Sequence, residues 1–215
     1  MNTFRLLFLG AALAFGAPAN AQVGFTVAGR ISAAIPYGDA FQTSTGTPYA
    51  LGTGTTASIP FQLDAGVTLA KRYFVGAYGQ YRIGLAKGGA CAEGVNCSDT
   101  GVRAGVEFLY QLAPRTAGIS GWIGIGTGWE WSRSQGYLTG TDATLTLNGW
   151  EIAQLQVGVD LWMSKVLRLG FYLSASLGQF SQASLSDGSD AVSTSIASKT
   201  LHGWFEMGMK STFDF

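Results

Sequence analysis

The stretch Thr200 to Phe215, TLHGWFEMGMKSTFDF, alternates. Leu201, Phe205, Met207, Met209, Phe213 and Phe215 are apolar, and His202, Glu206, Lys210, Thr212 and Asp214 stand between them. A repeat of two is that of a β-strand, whose successive side chains point to opposite faces. The same repeat recurs in seven earlier stretches: Gly24–Tyr37, Ser58–Ala70, Tyr73–Leu85, Gly101–Leu112, Gly118–Ser132, Leu147–Met163 and Val166–Phe180. Eight two-faced strands fit a β-barrel, in which interior-facing and exterior-facing residues alternate along every strand.

The connections alternate in length. Long ones run from Asp39 to Thr56, through the cysteine loop after Leu85, from Arg133 to Thr146 and from Ser181 to Lys199. Short turns carry Lys71-Arg72, Pro114-Arg115 and Ser164-Lys165. An even strand number with long loops at one end and short turns at the other is the pattern of an outer-membrane barrel, the loops lying outside the cell. The loops hold acids (Asp39, Glu93, Asp99, Asp142, Asp187 and Asp190), whereas the turns hold only bases.

Residues 1–21 read as an export leader, with Arg5, the apolar run Leu6–Ala17 and an A-x-A end that sets cleavage between Ala21 and Gln22. Residues 22–215 then form one barrel domain. Charged residues make up 12% of the chain, about half of what a soluble domain carries, and 31 residues are glycine. Without Arg5 the acids outnumber the bases by one, and no basic patch suggests nucleic-acid binding. Cys91 and Cys97, in CAEGVNC, are expected to form a loop-shaping disulfide in an exported chain. This pair lacks the further ligands of a zinc site, so no metal or cofactor is expected.

A lipocalin has the same alternation turned inside out. Three features place the apolar face outward. That face carries no charge, except for Glu151 at the loop end of the sixth strand. The polar face is rich in glycine (Gly76, Gly101, Gly105, Gly128 and Gly158 among others), which suits a cramped interior. Outward aromatics gather near strand ends, as in interfacial girdles: Tyr37, Trp129 and Trp131 at one end, Phe25, Tyr73, Tyr110, Phe213 and Phe215 at the other. Trp150 and Trp162 share the parity of the polar face. The lumen is then expected to hold Arg30, Arg82, Arg103, Arg168 and Lys210 with Asp64, Glu107, Glu130, Asp160 and Glu206, five charges of each sign. Ions withdrawn from water must pair, so they are expected to form a network that plugs the barrel.

The closing stretch, ending on Phe215 with Phe213 before it, resembles the last strand of bacterial outer-membrane β-barrels; Ser211 departs from the apolar residue usual there. The whole chain resembles the eight-stranded OmpA/OmpX-type barrels in architecture. The resemblance implies an all-β, eight-stranded antiparallel up-and-down transmembrane barrel in the cell outer membrane. It further implies that Phe213 and Phe215 are read by the barrel-assembly machinery, and that outer-membrane lipid and lipopolysaccharide surround a monomer. The expected role is structural or surface interaction, through loops whose extracellular ligand the residues do not identify. A small porin or a conduit for a hydrophobic or small solute is the alternative.

No catalytic residue is expected. His202 is the single histidine, and Trp204 takes the next same-face position, where lipid A deacylase barrels place a serine. GWIGIGTGW is glycine-rich, but it lacks the helix and the Lys-Ser/Thr pair of a phosphate loop.

Overall fold

A computed structural model describes residues 23–42, 46–53, 55–86, 98–113, 118–138, 141–186 and 191–215. The leader, its cleavage site and both cysteines lie outside the described residues. Eight long strands build the wall: β1 (Val23–Gln42), β3 (Thr55–Leu69), β4 (Tyr73–Ala86), β5 (Ser98–Gln111), β6 (Ile119–Leu138), β7 (Thr141–Trp162), β8 (Leu167–Ser186) and β10 (His202–Asp214). Two short strands, β2 (Pro48–Ala50) and β9 (Ala191–Ser195), stand at the loop end against β1 and β8.

Every wall strand pairs antiparallel with the next, and β10 pairs with both β8 and β1 to close the ring. The closing ladder runs from Thr26 opposite Asp214 to Gly38 opposite His202. Mutual backbone hydrogen bonds between Phe25 and Phe215 seal its turn end, with the two rings 6.4 Å apart. Closure satisfies every edge of the wall, which a backbone in hydrocarbon requires.

The two faces separate sharply. Leu63 is 69% exposed and its neighbour Asp64 1%. Ile35, Phe61, Val106, Ile125, Leu173 and Met207 are also exposed on the outer surface. A soluble protein rarely leaves so continuous an apolar belt in water; lipid is its natural contact.

Three sequence expectations are corrected. β6, β7 and β8 continue well into the expected loops as one tall sheet, because Ser, Thr and Gly there pair as readily as the apolar residues below. Asp99 is not a loop acid: it lies on β5 and points inward, held by Thr55 at 2.8 Å and Ser134 at 3.0 Å. The third correction concerns β7. Its pairing with β6 shifts between Gly126 and Gly128, and its pairing with β8 shifts between Glu151 and Ala153. This bulge reverses the parity of everything beyond it. Glu151, expected outward, is buried in the lumen, and Trp150, expected inward, faces out. Thr127 holds the bulge in place, its hydroxyl donating to the Glu151 carbonyl at 2.9 Å.

Candidate functional site

The alternation delivers polar side chains from every wall strand to one narrow axis. All ten expected network residues are buried there: Arg30, Asp64, Arg82, Arg103, Glu107, Glu130, Asp160, Arg168, Glu206 and Lys210. They form three tiers.

The outer tier is built on Arg103 and Glu130. Arg103 lies 2.9 Å from Glu151, 3.3 Å from Glu206 and 4.0 Å from Glu130. Arg82 pairs with Glu130 at 3.1 Å and stacks 3.7 Å above Trp204, whose indole N–H also donates to Glu130 at 3.2 Å. His202 Nε2 stands 3.3 Å from the other Glu130 oxygen. Tyr78 donates its hydroxyl to Glu151.

The middle tier is built on Arg30, which reaches Asp64 at 2.6 Å, Glu107 at 2.8 and 3.0 Å, and Gln156. Gln156 in turn donates to Glu107 at 2.9 Å. Gln80 links this tier to the outer one, reaching Gln62 at 3.1 Å and Glu206 at 3.3 Å. In the inner tier Arg168 binds Asp160 at 2.7 Å and Asp214 at 2.8 Å, and Lys210 sits 4.2 Å over Trp122. Trp162 lies under Arg168, its ring centroid 5.0 Å away.

The charge balance differs from the sequence expectation. Among the described residues the lumen buries five cations and eight carboxylates, the additions being Asp99, Glu151 and Asp214. Cations alone cannot satisfy so many acids, and neutral donors serve each one. Tyr78 serves Glu151, Gln156 serves Glu107, Trp204 serves Glu130 and Trp122 serves Asp160. Gln62 serves Asp64, Gln80 serves Glu206, Thr26 serves Asp214, and Thr55 with Ser134 serves Asp99. A buried charge that is both paired and hydrogen-bonded is tolerated; one left bare costs several kcal/mol.

The lumen is less polar than expected. Phe74, Leu109, Trp122 and Tyr172 form an apolar cluster inside it. The parity each shares with the polar residues of its own strand was the available signal. At the loop end a second cluster of Ala40, Leu147, Phe180 and Ile196 covers the outer tier, and Phe180 stacks on His202 at 3.9 Å. In the inner half Thr26, Asp64, Glu107 and Arg168 line a cavity of about 10 Å³. That volume holds roughly one water.

His202 has Glu130 and Phe180 as neighbours, and its Nδ1 has no hydrogen-bond partner among the described residues. Ser176, the nearest serine in register, accepts from the Trp204 amide at 3.2 Å instead. Phe213 and Phe215 are exposed on the outward face at the turn end. Ser211, also outward, donates to the Gly29 carbonyl at 3.4 Å, which accommodates its hydroxyl on the apolar side.

No family model matches this sequence, and no curated protein does. Solved structures do. A major outer membrane protein from Thermus thermophilus is similar at a TM-score of 0.51 and 14% identity, over 87% of this chain and 99% of that one. Neisserial surface protein A is similar at a TM-score of 0.49 and 12% identity, over 88% and 97%. The outer membrane protein AlkL, solved in lipid bilayers, is similar at 0.49 and 14%, over 90% of each chain. At such identities the likeness is one of fold. The fold is that of the eight-stranded outer-membrane β-barrels, and the apolar belt is the surface such a barrel turns to lipid.

Proposed function

We propose that this chain is a structural or surface-interaction protein of the outer membrane, with a barrel that is sealed rather than conducting. The observation that carries this reading is the filled lumen: three interlocked tiers of charge, an apolar cluster over the outer one, and a cavity in the inner half that holds roughly one water. An eight-stranded barrel is only wide enough for its own side chains. The interior then holds the wall rigid, and the tall β6–β9 sheet at the loop end is the part available to a partner outside the cell. Phe213 and Phe215 fit the role of an assembly signal, and no catalytic role is assigned to His202.

Planar-bilayer recording tests the reading. The wild-type barrel is expected to insert without steady ion conductance, and sustained conductance in many independent insertions would overturn it. Such conductance would favour the second reading, a conduit. That alternative draws on one observation, a groove of about 930 Å³ on the outward face between Ile31, Phe61, Leu63, Tyr81 and Met209, floored by Gly29 and Gly79. For the absence of catalysis, lipid A from cells with and without His202→Ala is compared by mass spectrometry. Identical lipid A is expected.

A further inference from the structure

The outward face of β6 and β7 carries a patch that the lumen does not use. Trp129 and Trp131 project from β6, and Trp150 stands opposite Trp129 on β7. The Trp129 ring lies 6.3 Å from Trp131 and 5.1 Å from Trp150, the latter contact edge-to-face. Trp131 and Trp150 remain 42% and 57% exposed. Without the β7 bulge Trp150 would point inward and the patch would not exist.

Arg133 occupies the next outward position on β6, about 7 Å beyond Trp131 toward the loops. Its side chain is exposed and has no hydrogen bond or ion pair among the described residues. Among strand residues whose side chains are described, it shares the outward face with only one other charge, Asp39 near the outer end of β1. Below the tryptophans the surface turns fully apolar at Ile152 and Leu155.

Cation, flat aromatic faces and apolar wall thus follow one another from the loop end inward. We propose that Arg133, Trp129, Trp131 and Trp150 bind a phosphorylated glycolipid of the outer leaflet. The guanidinium takes the phosphate, since its planar fork matches phosphate oxygens. The indoles take the C–H faces of the sugar rings, and Ile152 and Leu155 take the acyl chains. A glycerophospholipid offers the same phosphate and chains but no ring to lie on the indoles. The inference rests on the loop end facing outward, which protease added to whole cells tests separately: cleavage confined to the loops is expected.

The direct test uses the full chain in micelles, with native mass spectrometry of bound lipid. Lipid A, dephosphorylated lipid A and phosphatidylglycerol are added in turn. Lipid A is expected to bind the wild type, and Arg133→Gln or Trp150→Ala to weaken it by at least about tenfold. Dephosphorylated lipid A is expected to bind the wild type no better than lipid A binds R133Q. Both side chains face outward, so both variants should fold; heat-modifiable gel migration checks this. Three results overturn the site: no lipid A on the wild type, unchanged binding by both variants, or phosphatidylglycerol bound as tightly as lipid A. The last would mean that the tryptophans anchor any lipid.

Discussion

Tyr78 on β4 donates its hydroxyl to Glu151 on β7, across the lumen, with β5 and β6 between them in the sheet. Glu151 also holds Arg103 at 2.9 Å. One carboxylate therefore ties three wall strands together, and it can do so only because the bulge turns it inward. Glu151→Ala would leave Arg103 with Glu206 and the distant Glu130, and Tyr78 without its acceptor. Breaking a buried pair costs about 3–5 kcal/mol. We expect a lower urea midpoint for unfolding from micelles, with Glu151→Gln losing less because it still accepts from Tyr78. Equal midpoints for E151A and wild type would show that the contact contributes nothing.

The phenol of Tyr78 lies where Gly105 and Gly128 leave room. A Cβ on Gly105 would stand 2.7 Å from the Tyr78 hydroxyl and 2.2 Å from the Thr127 carbonyl, whereas a Cβ on Gly79 would meet nothing within 4 Å. Gly105→Ala forces an overpacked wall, for which about 1–3 kcal/mol is typical. Gly79→Ala, outward and open, is expected to stay within about 0.5 kcal/mol of wild type. The pair is read in the same urea titration. A Gly79→Ala loss as large as that of G105A would mean that glycine acts here through the backbone and not through space.

Much of this was legible in the sequence because alternation is an all-or-none signal. Once Leu63 is placed outward, Asp64 must be inward, and the same reasoning placed Arg30, Arg103 and Lys210 in the lumen. The signal fails where the backbone inserts a residue. Ile152 and Ala153 are two consecutive side chains that stay out of the lumen, a break in period that parity counting does not see, so Glu151 and Trp150 lie on the faces opposite to those parity predicts. Asp99 was misplaced for a different reason: polar loop composition does not separate an irregular loop from a strand continuing above the membrane. The neutral donors that cross the lumen could not have been read from sequence, since they join strands such as β6 and β10 that share no ladder.

Glu107 gives an independent test of the middle tier. It accepts from Arg30 at 2.8 and 3.0 Å and from Gln156 at 2.9 Å. Glu107→Ala leaves Arg30 with Asp64 as its one carboxylate and the Gln156 amide with Gln154 as its one acceptor. A loss of about 3 kcal/mol or more is expected, against under about 1 kcal/mol for Lys165→Ala in an exposed turn. Folding into micelles at the wild-type urea midpoint would count against a network that stabilises the wall.

The bulge itself can be read residue by residue. Single cysteines at Trp150, Glu151 and Ile152, with Cys91 and Cys97 replaced by serine, carry spin labels on the barrel in lipid bilayers. Trp150 and Ile152 are 57% and 48% exposed on the outer surface, while Glu151 is 1% exposed. Labels at 150 and 152 should therefore collide with lipid-soluble oxygen, and the label at 151 should be shielded and immobile. Leu155 and Gln156, below the bulge, repeat the contrast with odd and even exchanged: 155 open to oxygen, 156 shielded. An unbulged β7 would keep odd positions outward along its whole length, so a label at 151 as open as the one at 155 would remove the bulge, the inward Glu151 and the three-tryptophan patch together.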